Sequence, residues 1–181
     1  MPGFQSAETL PEEIDSNVDA HYQLVLRKMT KKDPITKVKA LQEFAELIGT
    51  SEMDTIISVL PFWPRLYVTL STDVEHRVRE TCQQAQAAIA NKCGKNIAPY
   101  LRQLAPSWIT SQYDTYAPAA SIATSSFQKS FRPYKQQEVF NFCQNEILDY
   151  IIKNLTFYTA VTLSNSKYAD CVVFQSLLHF M

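Results

Sequence analysis

Asp33-Pro34-Ile35-Thr36-Lys37-Val38-Lys39 reads as the opening of a helix. An aspartate can accept from the unpaired N–H groups of the first turn, and proline follows at the first helical position, where its missing N–H costs nothing. An aspartate that opens a helix after an apolar one returns at Asp73 and at Asp114, at intervals of 40 and 41 residues. Five residues beyond each aspartate stands an apolar residue, Val38, Val78 and Ala119. In the first two copies a basic residue follows it, Lys39 and Arg79; the third copy lacks one. This is the period of HEAT and armadillo arrays, in which one helical hairpin cannot bury both its apolar faces and stacks on its neighbours to do so. The expected fold is all-α, a HEAT/armadillo-like α-solenoid of stacked helical hairpins. A non-repetitive helical bundle is the alternative, since imperfect copies also arise there by chance.

Outward from these stretches, apolar positions recur at helical spacing. Tyr22, Val25, Leu26 and Met29 share one face of a first helix beginning near Asp19, and a basic turn from Lys28 to Lys32 closes it. The second helix, opened by Asp33, should turn Ile35, Val38, Leu41, Ala45 and Ile48 inward and stop at Gly49-Thr50-Ser51. A third starts near Glu52 with Ile56, Leu60, Trp63, Leu66 and Leu70, and Pro61 and Pro64 must bend or interrupt it. Asp73 is the expected cap of the next helix, which carries Val78, Cys82, Ala85 and Ile89 until Cys93-Gly94 ends it. Pro99 opens another with Leu101, Leu104, Trp108 and Ile109. Phe127 and Phe131 precede a loop at residues 132–134, and a long helix follows with Val139, Phe140, Cys143, Ile147, Ile151 and Leu155.

Three expected regions result: a lead-in over residues 1–18, a helical domain over 19–155 and a tail over 156–181. The acids and prolines of the lead-in do not suit a secretory signal. No stretch has the apolar length to span a bilayer, so no membrane is expected. The tail is apolar from Cys171 to Met181, with no polar capping element behind it, whereas a terminal repeat needs a polar outer face. The expectation is a fragment, or a final segment of about fifteen residues that departs from the full-length product.

Composition narrows the chemistry. The chain has 181 residues, 46% of them hydrophobic, enough for a packed core without disulfides or metals. Net charge is −1, so any attraction to nucleic acid must come from a local patch. Cys82, Cys93, Cys143 and Cys171 form no CxxC pair and none stands at zinc spacing from His21, His76 or His179; reduced, buried thiols are expected and no metal site. Gly3, Gly49 and Gly94 are isolated, which denies the clustered N–H groups of a phosphate-cradling loop. His76, between Glu75 and Arg77, reads as a solvated histidine on a charged face, and no residue qualifies as catalytic. Glu12, Glu13 and Asp15 read as a solvating cluster.

One feature is more specific. Arg27, Lys28, Lys31, Lys32, Lys37 and Lys39 crowd one inter-helix turn and its flanks, and Arg77 and Arg79 occupy the corresponding place one repeat later. Stacking would bring the two sets together as a stripe able to meet RNA phosphate. An ordinary solvated helix face would show the same spacing.

Particular segments then carry a resemblance to a known family. Leu26-Arg27-Lys28, Lys31-Lys32-Asp33, Lys37, Lys39-Ala40 and Gln42-Glu43-Phe44 resemble the start of the listerins. So do Leu60-Pro61-Phe62-Trp63-Pro64-Arg65, Arg77-Val78-Arg79-Glu80, Gln83-Gln84-Ala85, Ala98-Pro99-Tyr100-Leu101 and Asp114-Thr115-Tyr116-Ala117-Pro118-Ala119-Ala120. Glu13-Ile14-Asp15-Ser16 and Phe142-Cys143 with Glu146-Ile147 extend the likeness to about residues 12 to 150, and it fades from Thr156.

The resemblance implies the N-terminal region of a long cytosolic HEAT-repeat, RING-type E3 ubiquitin ligase of ribosome-associated quality control. Implied partners are the large ribosomal subunit, with ribosomal RNA among its contacts, and the quality-control partner that senses the exposed peptidyl-tRNA. The ubiquitin-conjugating enzyme is met through a C-terminal RING whose zinc ligands this sequence does not hold, so no cofactor is expected here. The basic stripe is then the candidate anchor, and charge reversal at Lys31, Lys32, Arg77 and Arg79 is expected to weaken docking without unfolding. A non-catalytic helical scaffold that binds only protein partners is the competing expectation.

Overall fold

The structure, a computed structural model, describes residues 18–157. Those residues are helical throughout, with no strand among them. In chain order they form α1 (Ala20–Met29), α2 (Pro34–Thr50), α3 (Met53–Val59), α4 (Trp63–Leu70), α5 (His76–Cys93), α6 (Leu101–Thr110), α7 (Ala117–Ser130), α8 (Pro133–Phe142) and α9 (Gln144–Phe157). Helices α2, α5 and α7 pack side by side as one layer, and α4, α6 and α9 follow one another as a second, with α1 laid on α2. This is the expected solenoid of stacked hairpins. Most of the lead-in and of the tail, Cys171 and His179 included, lies outside the described residues.

Several boundaries follow the predicted chemistry. Asp19 caps α1 by accepting from the His21 N–H at 2.9 Å, and Asp33 caps α2 by accepting from the Thr36 N–H at 2.8 Å, with Pro34 at the first helical position. Pro61 and Pro64 do interrupt the third helix: a 3-10 turn at Leu60–Phe62 separates α3 from α4. Gly94 ends α5 with a φ of +50°, a region that disfavours residues bearing a Cβ.

Four expectations are corrected. Ile35 is 65% exposed, because the inward face of α2 is Ala40, Leu41, Phe44 and Ile48. Asp73 does not cap α5; Glu75 does, accepting from the Arg77 N–H, while Asp73 accepts from the Glu75 N–H at 3.0 Å in the turn before it. Pro99 lies inside a 3-10 stretch, Gly94–Tyr100, and α6 starts two residues later. The expected long last helix breaks at Cys143 into α8 and α9; Val139, Cys143 and Ile147, at four-residue spacing, are buried on both sides of the break.

Aromatic rings connect the layers. Tyr22 meets Phe44 edge-on at 5.9 Å, Phe44 stacks on Trp63 at 5.1 Å, and Trp63 leans on Tyr67 at 5.8 Å. Farther along, Trp108, Phe127 and Phe131 form a second cluster. The central helix α5 is flanked by both α2 and α7, so Arg79, Thr81, Gln83 and Gln86 are buried along it and most of their polar atoms find partners, Gln86 Nε2 excepted. Gln86 accepts from the Trp63 indole N–H at 2.6 Å; Gln83 accepts from the Tyr67 hydroxyl at 2.8 Å and donates to Ser111 at 3.1 Å. Cys82, Cys93 and Cys143 are buried and unpaired, and burial pushes their thiols up from the ordinary range, away from nucleophilic chemistry.

A buried ion pair joins successive repeats. Arg79 on α5, its side chain 4% exposed, donates from Nε to Asp114 at 2.8 Å and from Nη2 at 3.0 Å, and from Nη1 to the Asp73 carbonyl at 2.9 Å. Asp114 also accepts from the Tyr116 N–H at 2.8 Å, so it organises the entry to α7. Removing one partner of such a pair leaves a buried, uncompensated charge. We expect Asp114→Ala to lower unfolding free energy by about 3–5 kcal/mol in a urea titration, and Arg79→Met combined with Asp114→Leu to recover most of that loss. Equal stability of the single and double variants would contradict this account.

Candidate docking surface

The eight basic residues of the expected stripe separate into two groups. Lys37 reaches across from α2 to Asp73 at 2.6 Å, with side-chain exposures of 19% and 10%, and Arg79 is buried against Asp114. Both stand at the fourth position of their helices, and each meets an aspartate three residues ahead of the next helix in the layer, α5 for Lys37 and α7 for Arg79. Together they form an ion-pair ladder inside the stack. Arg79 is therefore withdrawn from the candidate surface, because its guanidinium is already satisfied by two carboxylate oxygens and the carbonyls of Asp73 and Val74. Lys37 is largely withdrawn for the same reason.

Lys28, half-buried, donates to Glu43 at 3.0 Å, and His21 meets the other oxygen of that carboxylate at 2.7 Å. Hydrogen bonds from His21 and then Lys28 hold the Glu43 carboxyl below its ordinary range. Arg27, Lys31 and Lys32 are exposed at the end of α1 and in the turn that leads to Pro34. Lys39 and Arg77 are exposed on the facing ends of α2 and α5.

Lys39 and Arg77 flank a groove of ≈ 480 Å³ between those two helix ends, whose apolar side is Pro34, Ile35 and Val38. Glu75 and His76 complete the α5 side, with the carboxylate 3.1 Å from His76 Nδ1. Sequence periodicity had no means of finding this groove, because it is created by two helix starts that are some forty residues apart. The signal available was Ile35 itself: an isoleucine at the second position of a helix, preceding the buried face.

Among the described residues no group of three or more histidine, cysteine, aspartate or glutamate side chains is gathered as a metal site would require. None of their helices is long and apolar enough to cross a membrane. What the surface offers chemically is a cationic edge at the hairpin turns with an apolar groove set into it.

Residues 14–171 match the family model described as the N-terminal domain of the E3 ubiquitin-protein ligase listerin. The chain is 49% identical over 168 residues to the E3 ubiquitin-protein ligase listerin of Drosophila melanogaster, which takes in 92% of the chain and 10% of that protein. Against the listerin of Gallus gallus it is 44% identical over 167 residues, 92% of the chain and 9% of that protein. Against that of Mus musculus it is 41% identical over 167 residues, with the same shares. The chain thus spans about a tenth of the length of the curated relatives it matches. The family match runs to residue 171, past Thr156, the point from which the likeness was expected to fade.

The division of the cations is open to direct measurement. Lys39→Glu and Arg77→Glu should each shift stability by no more than about 0.5 kcal/mol, as surface changes do. Arg79→Glu, which sets a carboxylate against Asp114, should abolish the cooperative thermal transition followed by circular dichroism. Comparable losses for Arg77→Glu and Arg79→Glu would refute the division. A second measurement concerns Glu43. Because its native carboxyl is held low, its contribution is present above the ordinary glutamate range and is lost as pH falls through the depressed native value. Glu43→Gln should flatten the acid limb of stability against pH; an unchanged limb would mean that the contacts with His21 and Lys28 contribute nothing.

Proposed function

Because the chain belongs to the listerin family, we propose that it is the N-terminal docking domain of a listerin-like E3 ubiquitin ligase. In this reading the domain holds one end of the ligase on the large ribosomal subunit while stalled nascent chains are marked for proteasomal degradation, so that stalled ribosomes are rescued in the cytosol. Ribosomal RNA and the partner that senses exposed peptidyl-tRNA are the neighbours it would meet there. The ubiquitin-conjugating enzyme would be engaged through a RING that this sequence does not contain, so transfer is a property of the longer ligase.

The observation that supports the reading is the cationic edge. The chain carries a net charge of −1, yet Arg27, Lys31, Lys32, Lys39 and Arg77 are exposed around neighbouring turns of the first two repeats. A surface of this kind binds phosphate by releasing condensed counterions, which gains free energy at low salt and loses it at high salt. Helix packing holds the backbone under the edge, so several weak contacts can form at once with only the side chains left to order.

The test is binding of the purified chain to isolated large ribosomal subunits across a salt series. Affinity should fall steeply as salt rises, and reversal of Arg27, Lys31, Lys39 and Arg77 to glutamate should weaken it by about tenfold or more while leaving the circular dichroism spectrum unchanged. Salt-independent binding that survives those reversals would overturn the cationic-edge account. Capture of a protein partner without ribosomes, insensitive to salt, would instead favour the scaffold that binds proteins alone.

A further inference from the structure

The residues that cap α2, α5 and α7 are Asp33, Glu75 and Tyr116. They recur along one end of the helix layer, one per repeat. At the junction of α5 with α7 the capping residue reaches back to the preceding helix: the Tyr116 ring lies 4.5 Å, centre to centre, from that of His76, the first residue of α5. The notch between those two helix ends is thereby occupied by an aromatic side chain from within the chain.

At the junction of α2 with α5 the corresponding residue is Glu75. Its carboxylate turns back on its own helix, accepting from the Arg77 N–H at 3.3 Å and meeting His76 Nδ1 at 3.1 Å. It brings no ring toward Pro34, the first residue of α2, and the notch stays open as the groove described above. Its apolar side is unusually exposed for an isoleucine, with Ile35 at 65%. Exposed apolar surface rimmed by polar groups is characteristic of a binding site.

The geometry points to this groove as the receptor for an aromatic or large apolar side chain carried in an acidic segment of a protein partner. The inference rests on the reading of the chain as a docking domain and names the chemistry of one of its partners. The argument for acidity is the rim. Lys39 and Arg77 are both exposed, and neither makes an ion pair among the described residues, so carboxylates on either side of the inserted side chain would find cations on both helices. The argument for an apolar insert is the neighbouring junction, where Tyr116 fills the equivalent space.

RNA fits this groove less well than a peptide. Phosphates would use Lys39 and Arg77 but leave Pro34, Ile35 and Val38 uncovered. Bases are held by stacking on aromatic or guanidinium planes; here only Arg77 and His76 on the α5 side offer them, the His76 ring is already against Tyr116, and the opposite side, Pro34, Ile35 and Val38, is aliphatic. The volume, ≈ 480 Å³, lies in the range of pockets that take small ligands and single side chains with their flanks.

The test is fluorescence anisotropy of the full chain with labelled short peptides that hold one phenylalanine or tryptophan between glutamates. Controls carry alanine in place of the aromatic, or lysines in place of the glutamates; a labelled single-stranded RNA serves as the other probe. The acidic aromatic peptides should bind saturably and both control peptides about tenfold or more weakly. Ile35→Ser, a neutral change at an exposed position, and Gln42→Trp, which fills the groove from α2, should each reduce peptide binding to a similar extent and leave RNA binding unchanged. Failure of every acidic aromatic peptide to saturate, indifference to the aromatic, or loss of RNA binding alone in Ile35→Ser would overturn the proposal. If large-subunit binding stays salt-sensitive while no peptide binds, the groove inference fails and the docking reading stands.

Discussion

The contact between Arg79 and Asp114 constrains more of this molecule than any other single interaction. It lies between the second and third repeats, with the guanidinium bonded to a carboxylate on one side and to the turn before its own helix on the other. An arginine can be buried only where its donors are met, and here three groups from two repeats meet them. The contact therefore fixes how far α7 may slide along α5. Lys37 and Asp73 repeat the device between the first and second repeats at a more solvated depth. Apolar packing alone would tolerate several registers between smooth helices, and paired charges admit one.

Within that register the aromatic and amide groups complete the core. Helix α5 is packed on both flanks, which is why a helix rich in polar residues can still be central: Gln83 and Gln86 serve the hydroxyl and indole N–H of large rings that would otherwise be buried without partners. The hairpin is the unit of chain geometry, and the junction between hairpins is the unit of energy. Each apolar face is covered by the neighbouring repeat.

Much of this was legible from residue chemistry near helix ends. Asp19, Asp33, Pro61, Pro64 and Gly94 act locally, on N–H groups or backbone angles within a few positions, so their effects could be read in place. What was illegible depends on counting from the right origin. Asp33 caps its helix directly, whereas Asp73 and Asp114 precede theirs by three residues. Aligning the repeats on the aspartates equated Lys39 with Arg79; aligning them on helix starts equates Lys37 with Arg79, and the ladder appears. Helical spacing alone places Ile35 inward, since spacing cannot tell that the neighbouring helix does not cover the first turn of α2. The break at Cys143 had no glycine or proline to announce it, and Val139, Cys143 and Ile147 keep the four-residue spacing of one continuous helix face across it, so the periodicity reads straight through.

The ladder also explains why a cationic edge can be both dense and specific. Of the basic residues that crowd the first two hairpin turns, Lys37 and Arg79 serve the join between repeats and Lys28 is tied to Glu43. Those anchored side chains hold the helix ends on which Lys39 and Arg77 stand, so the cations facing solvent are presented by a frame that other cations keep rigid. The groove lies between two such ends, whose spacing is set by the packing of α2 on α5 together with the Lys37–Asp73 pair. Surface chemistry and stacking are thus one problem: a change that loosens the buried pairs alters what the exposed charges can reach, even where none of the exposed charges has been touched.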